Sequence, residues 1–265
     1  MSKPKIVYYT DEVNEAFAGT SIKQVEVGKD FPFAPTNKAW RILEWMAYYL
    51  VAVPLVSIFC YLFCGFRIKN RSALKRLKKQ HKGGYFIYLN HTHFTDAFVG
   101  PLVSLPYKAH IIANPDAVSI KGLRTFEQMI GCIPLPTGFS GMPKFMQALK
   151  LRLDQGRGIA ICPEAHIWPY CNFVRNFPSA SFKYPCKWDV ASIAVAVTYQ
   201  SRKGILKFIK KPRRTLYVSE PFFPDSTLSV KEASEKLRNE VHEFLDETCR
   251  RYSDYAYIQY IKKES

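Results

Sequence analysis

From Met46 to Phe66 the chain reads MAYYLVAVPLVSIFCYLFCGF, without a single charged residue. A helix needs roughly 20 apolar residues to cross the hydrocarbon core of a bilayer, where every unsatisfied peptide group is costly. Immediately afterwards comes RIKNRSALKRLKKQHK. An uncharged run of this length beside a cationic one is the pattern of a membrane anchor and is unusual for the core helix of a soluble domain. Trp45, Tyr48, Tyr49 and Tyr61 suit the bilayer interfaces, where aromatic rings with a polar tip collect. Pro54 removes one backbone donor, so the run fits either a full crossing or a hairpin dipping into one leaflet.

The flanks set the orientation. Lys29, Lys38 and Arg41 precede the run, whereas Arg67, Lys69, Arg71, Lys75, Arg76, Lys78, Lys79 and Lys82 follow it. Basic flanks stay in the cytoplasm, which predicts a cell-membrane protein with everything after Phe66 on the cytoplasmic face. The formal charge of +16 calls for a polyanionic partner, either nucleic acid or anionic lipid. Much of the charge sits just past the apolar run, with no zinc-finger spacing and no RNP-like aromatic motif, so membrane lipids are the expected partner and nucleic acid is not. Seven scattered cysteines without a CxxC pair read as reduced thiols. The opening MSKPKIVYYTDEVNEAF has neither the apolar core nor the cleavage site of a secretory signal.

This divides the chain into an appendage at 1–37, an anchor with its basic juxtamembrane segment at 38–82, and a main domain at 83–265. Within the domain, strand-like and helix-like pieces alternate. YFIYLN (85–90), AHIIAN (109–114), CIPLP (132–136) and GIAIC (158–162) read as strands, with helices near 121–130 and over 142–156, the latter stopping at Gly156. DVASIAVAVTYQ (189–200), ILKFIK (205–210) and TLYVSEP (215–221) read as further strands. A last helix opens at Ser229 with Glu232 three residues on, a capping box. The expected fold is α/β: a mixed, mostly parallel sheet flanked by helices, carrying an N-terminal hydrophobic membrane anchor.

The chemistry concentrates in NHTHFTD (90–96), which leaves an apolar strand at its carboxyl end, where α/β sheets open their ligand crevices. His91 and Asp96 stand in HxxxxD form. A neutral histidine takes the proton of a hydroxyl as it attacks an acyl carbonyl, provided that a carboxylate fixes its tautomer and stabilises the imidazolium. One loop supplies both groups.

Asn90, His91 and Asp96 match completely the NHxxxxD motif of the glycerolipid acyltransferase family, the lysophosphatidate acyltransferases and their glycerol-phosphate relatives, which this chain resembles. ICPEAHI is similar to that family's Pro-Glu-Gly-Thr-Arg motif through Pro163 and Glu164, with Ala165 in the glycine's place. Gly131 and the apolar residues after it resemble the start of the family's second motif, whose polar end is missing. Further echoes are the run Ser181, Phe182, Lys183 and the segment SEPFFP. The resemblance implies transfer of a fatty acyl group from acyl-CoA or acyl carrier protein to a lysophospholipid or glycerol-phosphate-like hydroxyl. His91 is the implied base and Asp96 its support, with no cofactor beyond the donor. In the family, basic residues of the second and third motifs hold the acceptor phosphate; here those positions are Thr137 and Ile167. His166, Arg175 and Lys183, close to Glu164 in sequence, are the candidate replacements. Glu164 itself is a candidate for an acceptor hydroxyl or for bracing the loop.

Two other chemistries compete. His91 and His93 form an HxH pair that Asp96, His110, Glu164 and His166 can complete into the metal site of a hydrolase, although no HxHxDH or HExxH pattern is present. A cysteine nucleophile at Cys162 has no histidine near it in sequence except His166, so Cys162 reads as packing.

Overall fold

The computed structural model describes residues 4–19 and 22–263. In chain order the main elements are β1 (Lys5–Tyr9), the long helix α1 (Lys38–Phe63), β2 (Arg67–Lys69), α2 (Ser72–Gln80), β3 (Tyr85–Leu89), α3 (Val99–Ser104), β4 (Ala109–Ala113), α4 (Arg124–Ile130) and β5 (Cys132–Pro134). They continue with α5 (Met142–Asp154), β6 (Gly158–Ile161), α6 (Lys183–Trp188), β7 (Ser192–Gln200), β8 (Arg213–Val218), α7 (Val230–Tyr252) and β9 (Ile258–Lys262).

Seven strands form the central sheet in the order β2-β8-β7-β3-β6-β4-β5, and β1 pairs with β9 beside it. Every pairing in the central sheet is parallel except β7 with β8. The expected mixed, mostly parallel sheet flanked by helices is therefore the fold. Strand β3 explains why both faces are covered: all five of its residues are buried. Phe86 and Tyr88 pack with Phe145 and Leu149 of α5 and Leu237 and Val241 of α7, whereas Tyr85, Ile87 and Leu89 pack with Leu74 and Leu77 of α2 and Leu102 of α3. The period-two alternation of a strand thus feeds two apolar cores, at about 2 kcal/mol per buried large side chain.

Helix α1 is long and apolar enough to cross a membrane. Asn37 caps its start by accepting from the Trp40 N–H at 2.8 Å. Wider π turns at Ala47–Ala52 and Phe59–Phe63 flank Pro54, and the helix continues through the proline. It is not free-standing. Tyr48 and Cys60 are buried against the domain, the Ala109 N–H donates to the Tyr48 hydroxyl at 3.2 Å, and the Tyr49 hydroxyl donates to the Pro106 carbonyl at 2.9 Å. Tyr48, read from sequence as interfacial, is thus a domain contact. On its outer side Leu50, Leu55, Ile58, Leu62 and Phe63 are exposed.

The segments on either side of α1 belong to the same body. Val27, Phe31 and Phe33 enter the α5/α7 core, and Ala73, Leu74 and Leu77 of the basic stretch enter the opposite one, with β2 as an edge strand. The strand expected over 205–210 is instead a 3-10 turn, Gly204–Phe208. Gly204 turns the chain at φ +63°, and β8 already has β7 on one side and β2 on the other, leaving no edge there for another strand. Gly156 adopts φ +71° after α5, and Ser229 and Glu232 close the capping box of α7.

Candidate active site

His91 stands two residues beyond β3, in a loop whose shape is set by one buried oxygen. Asp96 Oδ2 accepts from the Thr92 N–H at 2.6 Å and the His93 N–H at 2.7 Å, and lies 3.3 Å from His91 Nδ1. Asp96 is wholly buried, so these donors replace the water lost around Oδ2, whereas Oδ1 has no hydrogen-bond partner among the described residues. Holding Nδ1 leaves Nε2 for the cavity.

The backbone of the loop is fastened from three directions. Asn90 does for the end of β3 what a strand partner would do: its side chain donates to the Val197 carbonyl at 3.1 Å and accepts from the Val197 N–H at 2.8 Å. The Trp168 and Tyr170 N–H groups donate to the carbonyls of His91 and Thr92. The Tyr199 hydroxyl donates to Thr92 Oγ1 at 2.6 Å, and Arg214 donates to Thr95 Oγ1. His91 is therefore held on a rigid seat.

A cavity of about 410 Å³ opens in front of it, lined by His91, Cys162, Pro163, Ile161, Leu135 and Tyr184 among others. An apolar groove lined by Val53 and Val56 of α1, Phe98, Leu102 and Ile130 shares Ala97 and Ile111 with this cavity, so the two spaces adjoin.

Cys162 packs on the core as expected and also borders the cavity beside His91. In the parallel pairing of β3 with β6, Tyr88 faces Ile161, which brings the two strand ends side by side and sets the Cys162 thiol against the His91 imidazole. Burial opposes charge on His91, but the Cys162 sulfur and the Asp96 carboxylate outweigh it and raise the imidazole to about 11.

The other sequence candidates separate. Glu164 and Arg175 are both buried and paired, with Arg175 Nε donating to Glu164 Oε2 at 2.7 Å. Arg175 also donates to the His166 carbonyl and stacks 4.8 Å from the Trp168 ring. Its expected role as a phosphate contact is corrected: the guanidinium is committed inside the protein. Burial pushes the Glu164 carboxyl up to about 7 although Arg175 opposes this, and its Oε1 has no hydrogen-bond partner among the described residues. His166 is half-buried, and Lys183 is exposed at the start of α6, outside the cavity lining. Gly131 serves the fold: it ends α4 at φ +116°, where an added Cβ would meet the Ala109 carbonyl at 2.9 Å. Ala165 does take the left-handed conformation reserved for glycine, at φ +61°.

Thr137 and Ile167 are both engaged by the N-terminal stretch. Thr137 accepts from the Val27 N–H at 3.1 Å and returns a bond to the Val27 carbonyl, and Ile167 bridges to Ala18. His93 is used locally, bonding Thr95 at 3.0 Å and facing Tyr170. Among the described residues no three His, Cys, Asp or Glu side chains converge as metal ligands. The arrangement suits proton transfer at His91 Nε2 with a carboxylate behind it.

Comparison with known proteins adds to this geometry. The sequence profile of a family described as Acyltransferase matches residues 66–206. The fold is similar to the crystal structure of the 1-acyl-sn-glycerophosphate (LPA) acyltransferase, PlsC, from Thermotoga maritima, with a TM-score of 0.53 and 15% identity over 82% of this chain and 81% of that one. No curated protein matches.

Proposed function

Because this chain belongs to the acyltransferase family, we propose that it moves a fatty acyl group from a thioester donor, acyl-CoA or acyl carrier protein, to a lysophospholipid or glycerol-phosphate-like hydroxyl at a membrane surface. His91 is the general base and Asp96 its support. The observation that carries this reading is the buried Asp96 oxygen shared between two loop N–H groups and His91 Nδ1, beside a cavity that adjoins an apolar groove under α1.

The steps follow from these positions. The acceptor hydroxyl lies at His91 Nε2, on the side of the ring that Asp96 leaves to the cavity. As the oxygen attacks the thioester carbonyl, its proton passes to Nε2, and Asp96 stabilises the imidazolium. Collapse of the tetrahedral intermediate expels the donor thiolate, which takes the proton back from His91. The narrow groove of Val53, Val56, Phe98 and Leu102, about 70 Å³, takes a few carbons of the acyl chain, and the rest extends along α1 toward lipid. Helix α1 places that groove at the bilayer by turning Leu50, Leu55, Ile58 and Leu62 toward lipid while its inner side stays on the domain. The basic surface holds the protein to the cytoplasmic leaflet.

The test is incubation of the purified protein with labelled acyl-CoA or acyl carrier protein thioester and a panel of lysolipids. An ester product with at least one acceptor is expected; release of free fatty acid alone, whatever the acceptor, would contradict the proposal.

A further inference from the structure

The opposite end of the sheet holds a second charged assembly, far from His91 along the strands. Lys108 immediately precedes β4, Arg157 immediately precedes β6, and both reach Glu44 of α1. Lys108 Nζ and Arg157 Nη1 each lie 2.9 Å from Glu44 Oε1, and Arg152 Nη2 lies 3.5 Å from the same oxygen. One carboxylate thus faces three cations. Lys108 also donates to the Met129 carbonyl at 2.6 Å and Arg157 to His110 Nε2 at 3.2 Å, neither of which brings negative charge. Arg152 is buried and its Nε has no partner. Burial, against the pull of Glu44, brings the Lys108 ammonium down to about 7.

This assembly is open on one side. A cavity of about 940 Å³ is lined by Glu44, Lys108 and Arg157 at its floor and by Lys38, Arg41 and Trp45 at its mouth. With Arg152 behind the floor, the cavity holds four full cations, Lys38, Arg41, Arg152 and Arg157, and a partly charged Lys108 against one carboxylate. The mouth also borders the exposed apolar side of α1, where Ile42 and Trp45 are each more than half exposed. Positive charge concentrated in a partly desolvated pocket binds anions, and guanidinium forks match phosphate oxygens. An indole at the rim is the residue type that settles at headgroup depth.

We propose that this cavity is a second binding site, for the phosphate of an anionic phospholipid headgroup, which seats the start of α1 on the membrane. The lipid source rests on the membrane placement of α1 given above; the anion site itself does not.

The test follows Trp45 fluorescence, with Trp45→Phe as the background. The probes are dihexanoyl phosphatidylglycerol, dihexanoyl phosphatidylcholine and inorganic phosphate, each titrated separately. The expected result is a saturable response to the glycerol lipid that becomes about 30-fold weaker in Lys38→Gln with Arg41→Gln, as loss of two interfacial cations implies. The same response should be unchanged in Lys144→Gln with Lys187→Gln, an equal charge change on exposed residues of α5 and α6. An equal response to the choline lipid, or no effect of the Lys38 and Arg41 changes, would overturn the site. A response matched by inorganic phosphate alone would overturn the lipid assignment. Binding of the unaltered protein to phosphatidylcholine vesicles, scored separately, reports on the placement of α1 and leaves the anion site to the titrations.

Discussion

At the two ends of the sheet a buried carboxylate gathers donors onto one oxygen, and the kind of donor separates their roles. Asp96 takes two backbone N–H groups and one imidazole, all from its own loop. Glu44 takes a lysine and two arginines from separate parts of the chain. The two backbone donors carry no formal charge, so the Asp96 charge acts on the His91 imidazolium alone and favours it. Formal cations more than consume the charge of Glu44 and leave an excess that fastens α1 and attracts an anion. The same residue chemistry therefore supports a base at one end and a positive pocket at the other.

This contrast can be broken by substitution. The largest stability effect is expected from Glu44→Ala, which strands Lys108, Arg152 and Arg157 without their counter-charge and should cost about 3–5 kcal/mol in urea unfolding. A loss below about 1 kcal/mol would mean that water already serves those cations. Asp96→Asn keeps the size of the side chain but removes the charge, and should lower kcat/KM on the order of 100-fold or more. If transfer persists within threefold, the loop hydrogen bonds matter and the charge does not.

The smallest effect sharpens the picture of the base. As the proposed base His91 acts only when neutral, so its raised pKa predicts activity that is low in acid and climbs as pH rises through the neutral and alkaline range. Cys162→Ala removes one of the two groups favouring the imidazolium, so the rising limb of kcat/KM should move to lower pH while the plateau stays within a few fold. An unmoved limb would show that the thiol does not act on His91.

How much of this was legible in the sequence depended on distance along the chain. His91 and Asp96 share one loop after an apolar strand, so their spacing, the strand before them and the NHxxxxD resemblance together marked the pair. Asn90 came with the same motif, but its reason, a clamp on Val197, lies 107 residues away. Cys162 was expected to pack, but not against His91, because nothing in the sequence says that β6 lies beside β3. The Glu44 cluster draws on α1, α5 and the starts of β4 and β6, and no local pattern marks it. Arg175 looked like a phosphate contact from its neighbours, whereas Trp168 and Glu164 enclose it. At 205–210 alternation suggested a strand, and strand pairing elsewhere had already taken both sides of β8.

The most direct test of the central claim is the rate of ester formation from a labelled acyl thioester by His91→Ala, with folding checked by circular dichroism. General-base catalysis predicts a loss of about 100- to 10,000-fold in a protein that stays folded, since the imidazole reaches the cavity and the loop is held by Asp96 and Asn90. Transfer at an undiminished rate by folded His91→Ala would contradict it.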